Sequence, residues 1–398
     1  MSSSRQLGRK LRVLISAGEA SGEMYGAALL ESLRKEAMRD DLSIECFGMG
    51  GKLMREAGCD TVVDANRVAV VGLAEVVSHL PQIRREFQAL LREVDVRKPD
   101  IAVLIDFPDW NLRLAKQLHR RGIPVVYYVS PQLWAWRKGR VKQVEKYVRK
   151  MLVIFPFEQE FYARHKVDAE FVGHPLAELE RPEESTVMAQ FGRKVDALRI
   201  ALLPGSRRKE IAMNLPTMLA ATTKLKGTYE FQIPCASTID RVWLKLTLDT
   251  LRRQIAGAEK LKIELTHDSL VTLADARAAI VASGTATVEA AVLGVPFVMI
   301  YRVSSLTYLL GKHLVDVPHY GMVNLIAGRR VVPELIQQEF TAERVAAELE
   351  LLLVKGERRD QMLRDLAEVK EKLHGAAEGK AADNAARAVM AVAKAGGA

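Results

Sequence analysis

Residues 101–111 read IAVLIDFPDWN, an apolar run of five residues that ends in an aspartate, a proline and the start of a helical pattern. A short run that is apolar at every position is typical of a strand buried on both faces, as in parallel sheets covered by helices. Similar runs recur through the first half of the chain, with helical patterns between them. We place these strands at residues 12–16, 43–47, 101–105, 124–129 and 151–155. Their alternation with helices predicts a doubly wound α/β domain.

The same pattern starts again in the second half, after a polar stretch at 177–194 that is typical of a linker. The second set of strands is placed at residues 199–203, 230–234, 262–265, 278–282 and 296–301. From Thr341 onward the sequence predicts only helices. We therefore expect an N-terminal domain over residues 1–180, a second doubly wound domain over 181–360, and C-terminal helices over 361–398. Ligands of such sheets bind at the carboxyl ends of the strands, so a cleft between the two domains is the expected site.

Composition narrows the functional classes. The chain has 398 residues, of which 49% are hydrophobic and 27% charged, as expected for a globular protein. No apolar run reaches the roughly 20 residues of a membrane-spanning helix, which argues against an integral membrane protein. The net charge of +9 favours anionic partners such as nucleotides, phosphorylated lipids or an acidic membrane surface. The three scattered cysteines predict neither a disulfide framework nor a zinc site, and they fit a reducing cytoplasm.

The first strand leads into a glycine-containing loop at residues 16–23, SAGEASGE. Its glycines do not follow the spacing of a dinucleotide-binding fingerprint, and no Gly-Lys-Ser/Thr of a P-loop is present. The loop can still offer backbone N–H groups to an anion or a sugar. Alternatively it is only a tight turn between strand and helix, in which Gly22 and Gly26 allow close packing. The sequence leaves both interpretations open.

Asp106 directly follows the strand at 101–105, so it stands at a carboxyl end of the predicted sheet. A carboxylate with apolar neighbours is partly desolvated, which raises its pKa and suits it to general-base catalysis. The alternative is a helix N-cap, and Asp109 fits that role better because it stands just before the helical run. We predict that Asp106 is the catalytic carboxylate.

Two loops of the second half have the composition of a diphosphate site. Residues 203–207 read LPGSR, in which glycine lets a phosphate approach the backbone and arginine supplies a fork of donors. Residues 282–285 read ASGT at a predicted helix start, where small hydroxyl residues can hold a phosphate. A carboxylate about one turn further along that helix can accept both hydroxyls of a ribose. The candidate nucleotide-binding residues are Gly205, Ser206, Arg207, Ser283, Gly284, Thr285 and Glu289. Either loop alone also fits a capped helix start.

No metal site is predicted. The chain contains no Asp-x-Asp pair, which disfavours a glycosyl transferase that uses such a motif to chelate a metal. Without a metal, Arg207 and helix dipoles would stabilise the negative charge of a leaving group. The eight histidines show no ligand spacing, and His174 either contacts the cleft or is structural at the domain junction.

Two segments suggest contact with a membrane. Residues 137–150 are strongly basic and predict an amphipathic helix with a cationic face, for which a solvated surface is the alternative. Residues 68–83 read VAVVGLAEVVSHLPQI, with Glu75 as the one fully charged residue. We predict that this second segment contacts the membrane or acyl chains, with burial in the core as the alternative. The predicted contact residues are Val76, Val77, Leu80 and Ile83.

Taken together, these motifs resemble the lipid-A-disaccharide synthase family over nearly all of residues 11–395. The resemblance is carried by residues 17–23, 105–111, 127–142, 155–158, 172–175, 202–207, 282–291 and 318–329. Two departures are Glu23, where aspartate is expected, and Trp110, where phenylalanine is usual.

The resemblance implies two Rossmann-like domains in a GT-B arrangement, with the C-terminal helices packing back on the first domain. It implies transfer of 2,3-diacylglucosamine from its UDP derivative to the 6-hydroxyl of 2,3-diacylglucosamine 1-phosphate, with inversion, Asp106 as the base, and neither metal nor cofactor. It places Arg302 and Asn324 near the nucleotide. The acceptor is expected at Gly18, Glu19, Ser21 and Gly22.

The resemblance further implies a cytoplasmic enzyme that is peripheral on the inner face of the cytoplasmic membrane. Its partners are the two acylated sugars and anionic lipid, with no nucleic acid, and a homodimer through the C-terminal helices is one option. Two rival functions remain. Another GT-B enzyme, such as a UDP-N-acetylglucosamine epimerase, would need no apolar surface for acyl chains. For a non-enzymatic nucleotide-sugar binding protein, Asp106 would be dispensable.

Overall fold

The apolar runs form the strands of two parallel sheets in a computed structural model of the chain. The structure describes residues 9–68, 73–135, 138–191, 198–303, 318–375 and 379–396. The chain divides into two units, of which the first comprises Met1–Pro175 and His374–Ala398 and the second Leu176–Leu373. The first unit thus ends at residue 175 and takes up the chain again at residue 374.

The first unit contains a seven-stranded sheet in which every neighbouring pair is parallel. Its strands are β1 (Lys10–Ala17), β2 (Ser43–Gly50), β3 (Asp60–Asp64), β4 (Ile101–Ile105), β5 (Val125–Tyr128), β6 (Lys150–Val153) and β7 (Ala169–Phe171). The spatial order is β3-β2-β1-β4-β5-β6-β7, so the order reverses between β1 and β4. Such a reversal opens a crevice at the carboxyl ends of the two strands, where ligands of this fold class bind.

Helices connect these strands, as right-handed crossovers between parallel strands require. They are α1 (Ala20–Arg39), α2 (Lys52–Glu56), α3 (Leu73–Arg97), α4 (Pro108–His119), α5 (Val141–Tyr147) and α6 (Pro156–Ala163). The central strands are buried on both faces: every residue of β4 and β5 is buried. Burial of each such aliphatic side chain contributes about 1.5–3 kcal/mol, which is why these strands are apolar throughout.

The second unit contains a six-stranded parallel sheet in the order β10-β9-β8-β11-β12-β13. Its strands are β8 (Arg199–Leu203), β9 (Glu230–Pro234), β10 (Lys262–Thr266), β11 (Ala278–Ala282), β12 (Phe297–Tyr301) and β13 (Glu334–Ile336). Its helices are α7 (Glu184–Phe191), α8 (Arg208–Thr222), α9 (Arg241–Gln254), α10 (Ser269–Asp275), α11 (Thr285–Val292), α12 (Met322–Ala327), α13 (Ala342–Leu353) and α14 (Glu357–His374). The predicted fold class, two doubly wound α/β domains, is confirmed.

The last helix, α15 (Ala381–Gly396), returns to the first unit and packs on α1. Ser32 Oγ of α1 donates to Asp383 Oδ1 at 2.7 Å. Asn384 Nδ2 donates to the carbonyl oxygen of Val172 at 3.0 Å. These bonds and its buried alanine face fix α15 on the first unit, as the sequence analysis expected of the C-terminal helices.

Several local predictions need correction. Three short strands, β3, β7 and β13, have no uniformly apolar run and were missed. The basic stretch 137–150 is not one helix, because α5 ends at Tyr147, Val148 is extended, and Lys150 already begins β6. Part of the expected linker is helical, as α7. Short 3-10 helices occur at Ala65–Arg67, Lys138–Arg140, Pro175–Glu178, Ala258–Lys260 and Gln337–Glu339.

Two further features bear on the composition. In the described part of the chain, no helix is both long and apolar enough to cross a bilayer. Two of the three cysteines, which look scattered in the sequence, meet in the core of the first unit: the Sγ atoms of Cys46 and Cys59 lie 2.8 Å apart as free thiols.

Candidate active site

In the first unit, the chain makes a strained turn between β4 and α4. Asp106 and Phe107 both have left-handed backbone conformations, with φ of 45° and 48°. Two consecutive non-glycine residues in this region are unfavourable, and such strain persists only where surrounding contacts hold it, which is common at functional sites. Pro108 then begins α4, where its fixed φ suits the first helical position. The turn sets Asp106 at the carboxyl edge of the sheet, as predicted.

Hydrogen bonds from two sides hold this turn. Asn111 Nδ2, on α4, donates to the carbonyl oxygens of Ile105 at 3.0 Å and Asp106 at 2.8 Å. The hydroxyl of Tyr127, on β5, donates to the same Asp106 carbonyl at 2.6 Å. Ser16 Oγ, at the end of β1, donates to Asn111 Oδ1 at 2.7 Å. The β4–α4 turn is therefore tied to both neighbouring strands.

The half-buried carboxyl of Asp106 has a pKa raised to about 6. Burial is the largest cause, the negative charge of Glu19 adds to it, and a hydrogen bond from the Phe107 N–H opposes both. This direction agrees with the expectation from the apolar surroundings. A carboxylate with this pKa is mostly ionised at neutral pH and is a stronger base than an ordinary aspartate, which suits proton abstraction.

The loop between β1 and α1 lies against the same turn. Gly18 is buried so closely that a β-carbon there would come within 2.3 Å of the Phe107 ring. Glu19 and Ser21 are exposed, whereas Gly22 is buried. The structure thus brings the predicted acceptor loop and Asp106 together at one edge of the sheet. This close approach explains sterically why residue 18 is a glycine, so a bound ligand is not needed to account for it.

Asp109 has a different role from the one expected. It is the second residue of α4 rather than its N-cap, which is Phe107. Its exposed carboxylate forms an ion pair with Arg140 at 2.6 Å. A negative charge in the first turn is also favourable to the helix dipole. These contacts give Asp109 a local structural function.

In the second unit, a cavity of about 350 Å³ lies at the carboxyl ends of β8, β9 and β11. The two predicted phosphate loops form much of its wall. The sequence-predicted residues that line it are Gly205, Ser206, Arg207, Ser283, Gly284, Thr285 and Glu289. Gly205 has φ of 125°, a conformation that other residues rarely adopt. The structure therefore gathers into one cavity residues that are about 80 positions apart in the sequence.

The donors of this cavity come from helix starts and from Arg207. Helix α11 begins after Gly284 with no side-chain cap, so its first N–H groups remain available to an anion. The N–H of Ser206 donates to Glu210 Oε2 at 3.0 Å, and Arg207 Nη1 lies 2.8 Å from Glu210 Oε1. Glu210 was not among the residues predicted from the sequence. Its spacing of three residues from Arg207 on a helix start was the available signal.

Glu289 is half-buried in the cavity wall. Ser269 Oγ donates to its Oε2 at 3.4 Å, and burial raises the pKa of the Glu289 carboxyl. Ser269 also lines the cavity and was missed, because it lies on another helix, α10. The pair offers a hydrogen-bonding wall of the kind that a ribose needs.

Arg302 and Asn324 do not line this cavity. Asn324 is fully buried, and its amide oxygen accepts from the N–H groups of Val331 and Val332 at 2.8 and 2.9 Å. Its Nδ2 donates to Val332 O at 3.0 Å and to Glu334 Oε1 at 2.7 Å, so its hydrogen-bonding capacity is used within the fold.

Arg302 likewise has intramolecular contacts. Its Nη1 donates to Thr217 Oγ1 at 2.9 Å, and its guanidinium lies 4.4 Å from the centre of the Phe340 ring. Arg302 and Asn324 thus have structural contacts among the described residues, and the place near the nucleotide that the resemblance implies stays a prediction for both.

His174 is buried in the first unit, with its ring centre 5.0 Å from that of Phe155. Burial lowers its pKa to about 3, so the ring is neutral at physiological pH. Of the two interpretations left open by the sequence, these surroundings favour the structural one.

The apolar segment 68–83 contributes the start of α3, with Pro81 inside the helix. The side chains of Val76 and Val77 lie outside the described residues. Leu80 is 49% exposed, whereas Ile83 is partly buried and packs against the core of the first unit. Leu80 thus has an outward-facing position, whereas Ile83 has part of its surface against the core.

The chain matches the family model described as lipid-A-disaccharide synthetase over residues 13–389. A lipid-A-disaccharide synthase of Koribacter versatilis (strain Ellin345) is 56% identical over 387 residues, covering 96% of this chain and 99% of the relative. Two solved structures are similar at a TM-score of 0.60, each covering 96% of this chain and 99% of the other. They are the glycotransferase of kitacinnamycin, at 14% identity, and a UDP-GlcNAc 2-epimerase from Neisseria meningitidis bound to UDP-GlcNAc, at 11%.

At such low identities these two structures show a common fold and do not distinguish a transferase from an epimerase. The family model and the relative do distinguish them, because the model matches residues 13–389 and the relative is 56% identical over 96% of this chain. The chain therefore belongs to the lipid-A-disaccharide synthase family and has the two-domain fold of GT-B enzymes.

Proposed function

We propose that the protein is an inverting glycosyltransferase that moves 2,3-diacylglucosamine from its UDP derivative to the 6-hydroxyl of 2,3-diacylglucosamine 1-phosphate. The products are the lipid A disaccharide 1-phosphate and UDP. Family membership supports the substrates. The structural observation that carries the chemistry is Asp106, a half-buried carboxyl of raised pKa at the ligand-binding edge of the first sheet.

In this mechanism Asp106 takes the proton from the acceptor hydroxyl as that oxygen attacks the anomeric carbon on the face opposite UDP. The new bond forms from oxygen to carbon while the bond between the anomeric carbon and the diphosphate oxygen breaks. Asp106 ends protonated, and the electron pair of the broken bond leaves on UDP. General-base help of this kind contributes about 10²–10⁴-fold to a rate.

The cavity of the second unit is proposed to bind UDP. Its uncapped helix start and Arg207 supply donors for the diphosphate, and Glu289 supplies an acceptor for the ribose hydroxyls. Glu210 now bonds to Arg207 and to the Ser206 N–H, so a diphosphate must share or replace these contacts. Charge on the leaving UDP is then stabilised by Arg207 and by the helix dipole.

The acceptor sugar is proposed to bind at the β1–α1 loop. Glu19 and Ser21 are exposed there and can bond to sugar hydroxyls, while buried Gly18 lets the backbone pass close to the Phe107 ring. The negative charge of Glu19 helps to raise the pKa of the Asp106 carboxyl, which supports an acceptor site beside the proposed base.

Because both sugars carry acyl chains, we also propose peripheral contact with anionic lipid at the start of α3, through Val76, Val77 and Leu80. Each acyl methylene left in water costs about 0.8 kcal/mol, so an enzyme without an apolar path to the leaflet would face a prohibitive extraction cost. The exposure of Leu80 supports the proposal. We propose this contact on the cytoplasmic side of the membrane, because that is the side on which such substrates would meet a nucleotide sugar.

We also propose a homodimer through the C-terminal helices, but the packing of α15 limits how such a dimer can form. Helix α15 already buries its apolar face against its own chain. A dimer through this helix therefore requires exchange of α15 between chains or use of its other face. Light scattering of the purified protein measures which oligomeric state is present.

The test of the catalytic proposal is Asp106→Asn, with Asp109→Asn as the matched control. The first change keeps the size and hydrogen bonding of the side chain but removes its basicity, so turnover should fall about 10²–10⁴-fold. UDP affinity should be unchanged, because the proposed UDP residues belong to the second unit. Asp109→Asn should retain nearly full turnover. The opposite pattern would show that the wrong carboxylate has been chosen.

A further inference from the structure

We propose that Tyr127 and Asn111 are positioning residues for Asp106, because together they clamp its backbone carbonyl and so fix the direction of its carboxyl. The inference rests on the proposed function, since it concerns the base of the same reaction. Neither residue carries a group that needs to touch a substrate. Their effect on catalysis passes through the left-handed turn at residues 106–107.

The turn needs such a clamp because its backbone is intrinsically unfavourable. Asp106 and Phe107 are consecutive non-glycine residues with positive φ; aspartate adopts this region more readily than most residues, but a bulky aromatic residue such as Phe107 rarely does. If the turn relaxed toward the right-handed region, the Asp106 side chain would point in a different direction. A displacement of about 1 Å at a reacting group can cost as much as 10²-fold in rate.

Tyr127 provides the first half of the clamp. Its ring is fully buried in β5, paired in register with Leu104 of β4, and it belongs to the core of the first unit. Its hydroxyl lies at the polar end of this ring and donates to Asp106 O at 2.6 Å. Burial raises the pKa of Tyr127 well above its ordinary value, so the hydroxyl keeps its proton and remains a donor at any working pH. Phenylalanine would fill the same core volume without this bond.

Asn111 provides the second half from the opposite side. It lies in the first turn of α4, is fully buried, and donates to the carbonyls of both Ile105 and Asp106. Its amide oxygen is itself oriented by the hydroxyl of Ser16 on β1. The Asp106 carbonyl therefore accepts one hydrogen bond from β5 and one from α4, which uses both of its lone pairs. Rotation of this peptide would break both bonds at once.

The decisive experiment combines Tyr127→Phe with Asp106→Asn. In the wild-type background, Tyr127→Phe should lower kcat about tenfold, the effect of one neutral hydrogen bond on an equilibrium, with KM for both sugars unchanged. In the Asp106→Asn background it should have no further effect on the residual rate, because the base on which it acts is already absent. Asn111→Ala should likewise have no further effect on the residual rate in the Asp106→Asn background.

A matched control is Tyr162→Phe. Tyr162 is also fully buried in the first unit, and its hydroxyl bonds to Ser130 Oγ at 2.8 Å; among the described residues it makes no hydrogen bond to the β4–α4 turn. Removing this hydroxyl takes away the same atom from the same core. Tyr162→Phe should leave kcat within about twofold of the wild type. This is well below the loss of about tenfold expected when one neutral hydrogen bond to the Asp106 turn is removed.

The pH dependence supplies an independent measurement. A relaxed turn exposes the Asp106 carboxyl, so its pKa should fall and the acid limb of kcat/KM in Tyr127→Phe should move to lower pH. Tyr162→Phe should not move it. An equal loss from Tyr127→Phe in both backgrounds, or no loss in the wild type, would overturn the positioning role. Normal turnover of Asp106→Asn alone would instead contradict the base assignment, which distinguishes the two failures.

Discussion

Replacing Arg207 with alanine removes the one cationic side chain among the described residues that line the cavity of the second unit. Arg207 follows β8, its side chain is 69% exposed, and its Nη1 lies 2.8 Å from Glu210 Oε1. In the proposed complex this guanidinium turns to the diphosphate, where two charged oxygens match its fork of donors.

The size of the effect follows from two opposing contributions. A hydrogen bond to a charged group is worth about 1.5–3 kcal/mol. Against it stands the loss of the exposed pair with Glu210, which is worth about 0–1 kcal/mol. The net contribution of about 1–2 kcal/mol corresponds to a rise of roughly 5–30-fold in the Kd for UDP. Arg207→Lys keeps the charge but loses the fork, so it should recover only part of this affinity.

Isothermal titration calorimetry with UDP measures these affinities, and turnover of the acylated substrates gives the rates. The rate should fall together with affinity in Arg207→Ala, since the same charge opposes that of the leaving group. Arg208→Ala is the matched control: its guanidinium lies 5.1 Å from the centre of the Trp243 ring, and it does not line the cavity. UDP binding by Arg207→Ala at wild-type strength would refute the assignment of this cavity to the diphosphate.

The pH dependence, the effect of chelation and the membrane segment can each be tested. Because Asp106 works as an ionised base and its pKa is raised to about 6, kcat/KM should rise with pH through about 6 and level off above it; a profile that is flat down to pH 4 would contradict the base. Chelation should leave turnover unchanged, and activity that is lost with a chelator and restored by Mg²⁺ would overturn the metal-free mechanism. Changing Val76, Val77 and Leu80 together to serine should weaken binding to anionic vesicles with little change in Tm. If these residues are core, each should cost about 1–3 kcal/mol and the triple variant should unfold, which would exclude the membrane role.

Much of the fold can be predicted because central parallel strands carry a strong signal. β4, β8 and β11 were placed with the bounds that the structure shows, since burial on both faces makes β4 and β11 apolar at every position and β8 apolar after Arg199. Position at the end of such a strand then identifies Asp106 and the two phosphate loops. These candidates follow from the sheet geometry alone.

Edge strands and helix ends carry a weaker signal. β13 has three residues and begins with Glu334, whose carboxylate accepts hydrogen bonds from neighbouring N–H groups. Such partners are distant in sequence, so no local pattern reveals the strand. The basic run at 137–150 looks like a continuous helix because its valines have helical spacing. Pairing of β6 with β5 ends the helix early, and tertiary pairing of this kind overrides local periodicity.

The site is only partly visible for the same reason. Glycine and hydroxyl residues after strands predict the cavity from the sequence. The residues that bond to the predicted site residues come from other helices and strands. Ser269 reaches Glu289 from α10, and Tyr127 reaches the Asp106 carbonyl from β5. In the sequence Tyr127 is only an apolar position in a strand. Its hydroxyl acquires a role through a contact that no spacing rule contains.

The most direct test of the central claim mixes the purified protein with UDP-2,3-diacylglucosamine and 2,3-diacylglucosamine 1-phosphate. Mass spectrometry should show a new disaccharide 1-phosphate, formed in equal amount to the UDP released, and Asp106→Asn should slow both together. A UDP-sugar that is epimerised without UDP release, or a nucleotide sugar that is bound and left unchanged, would contradict the claim that this protein is a glycosyltransferase.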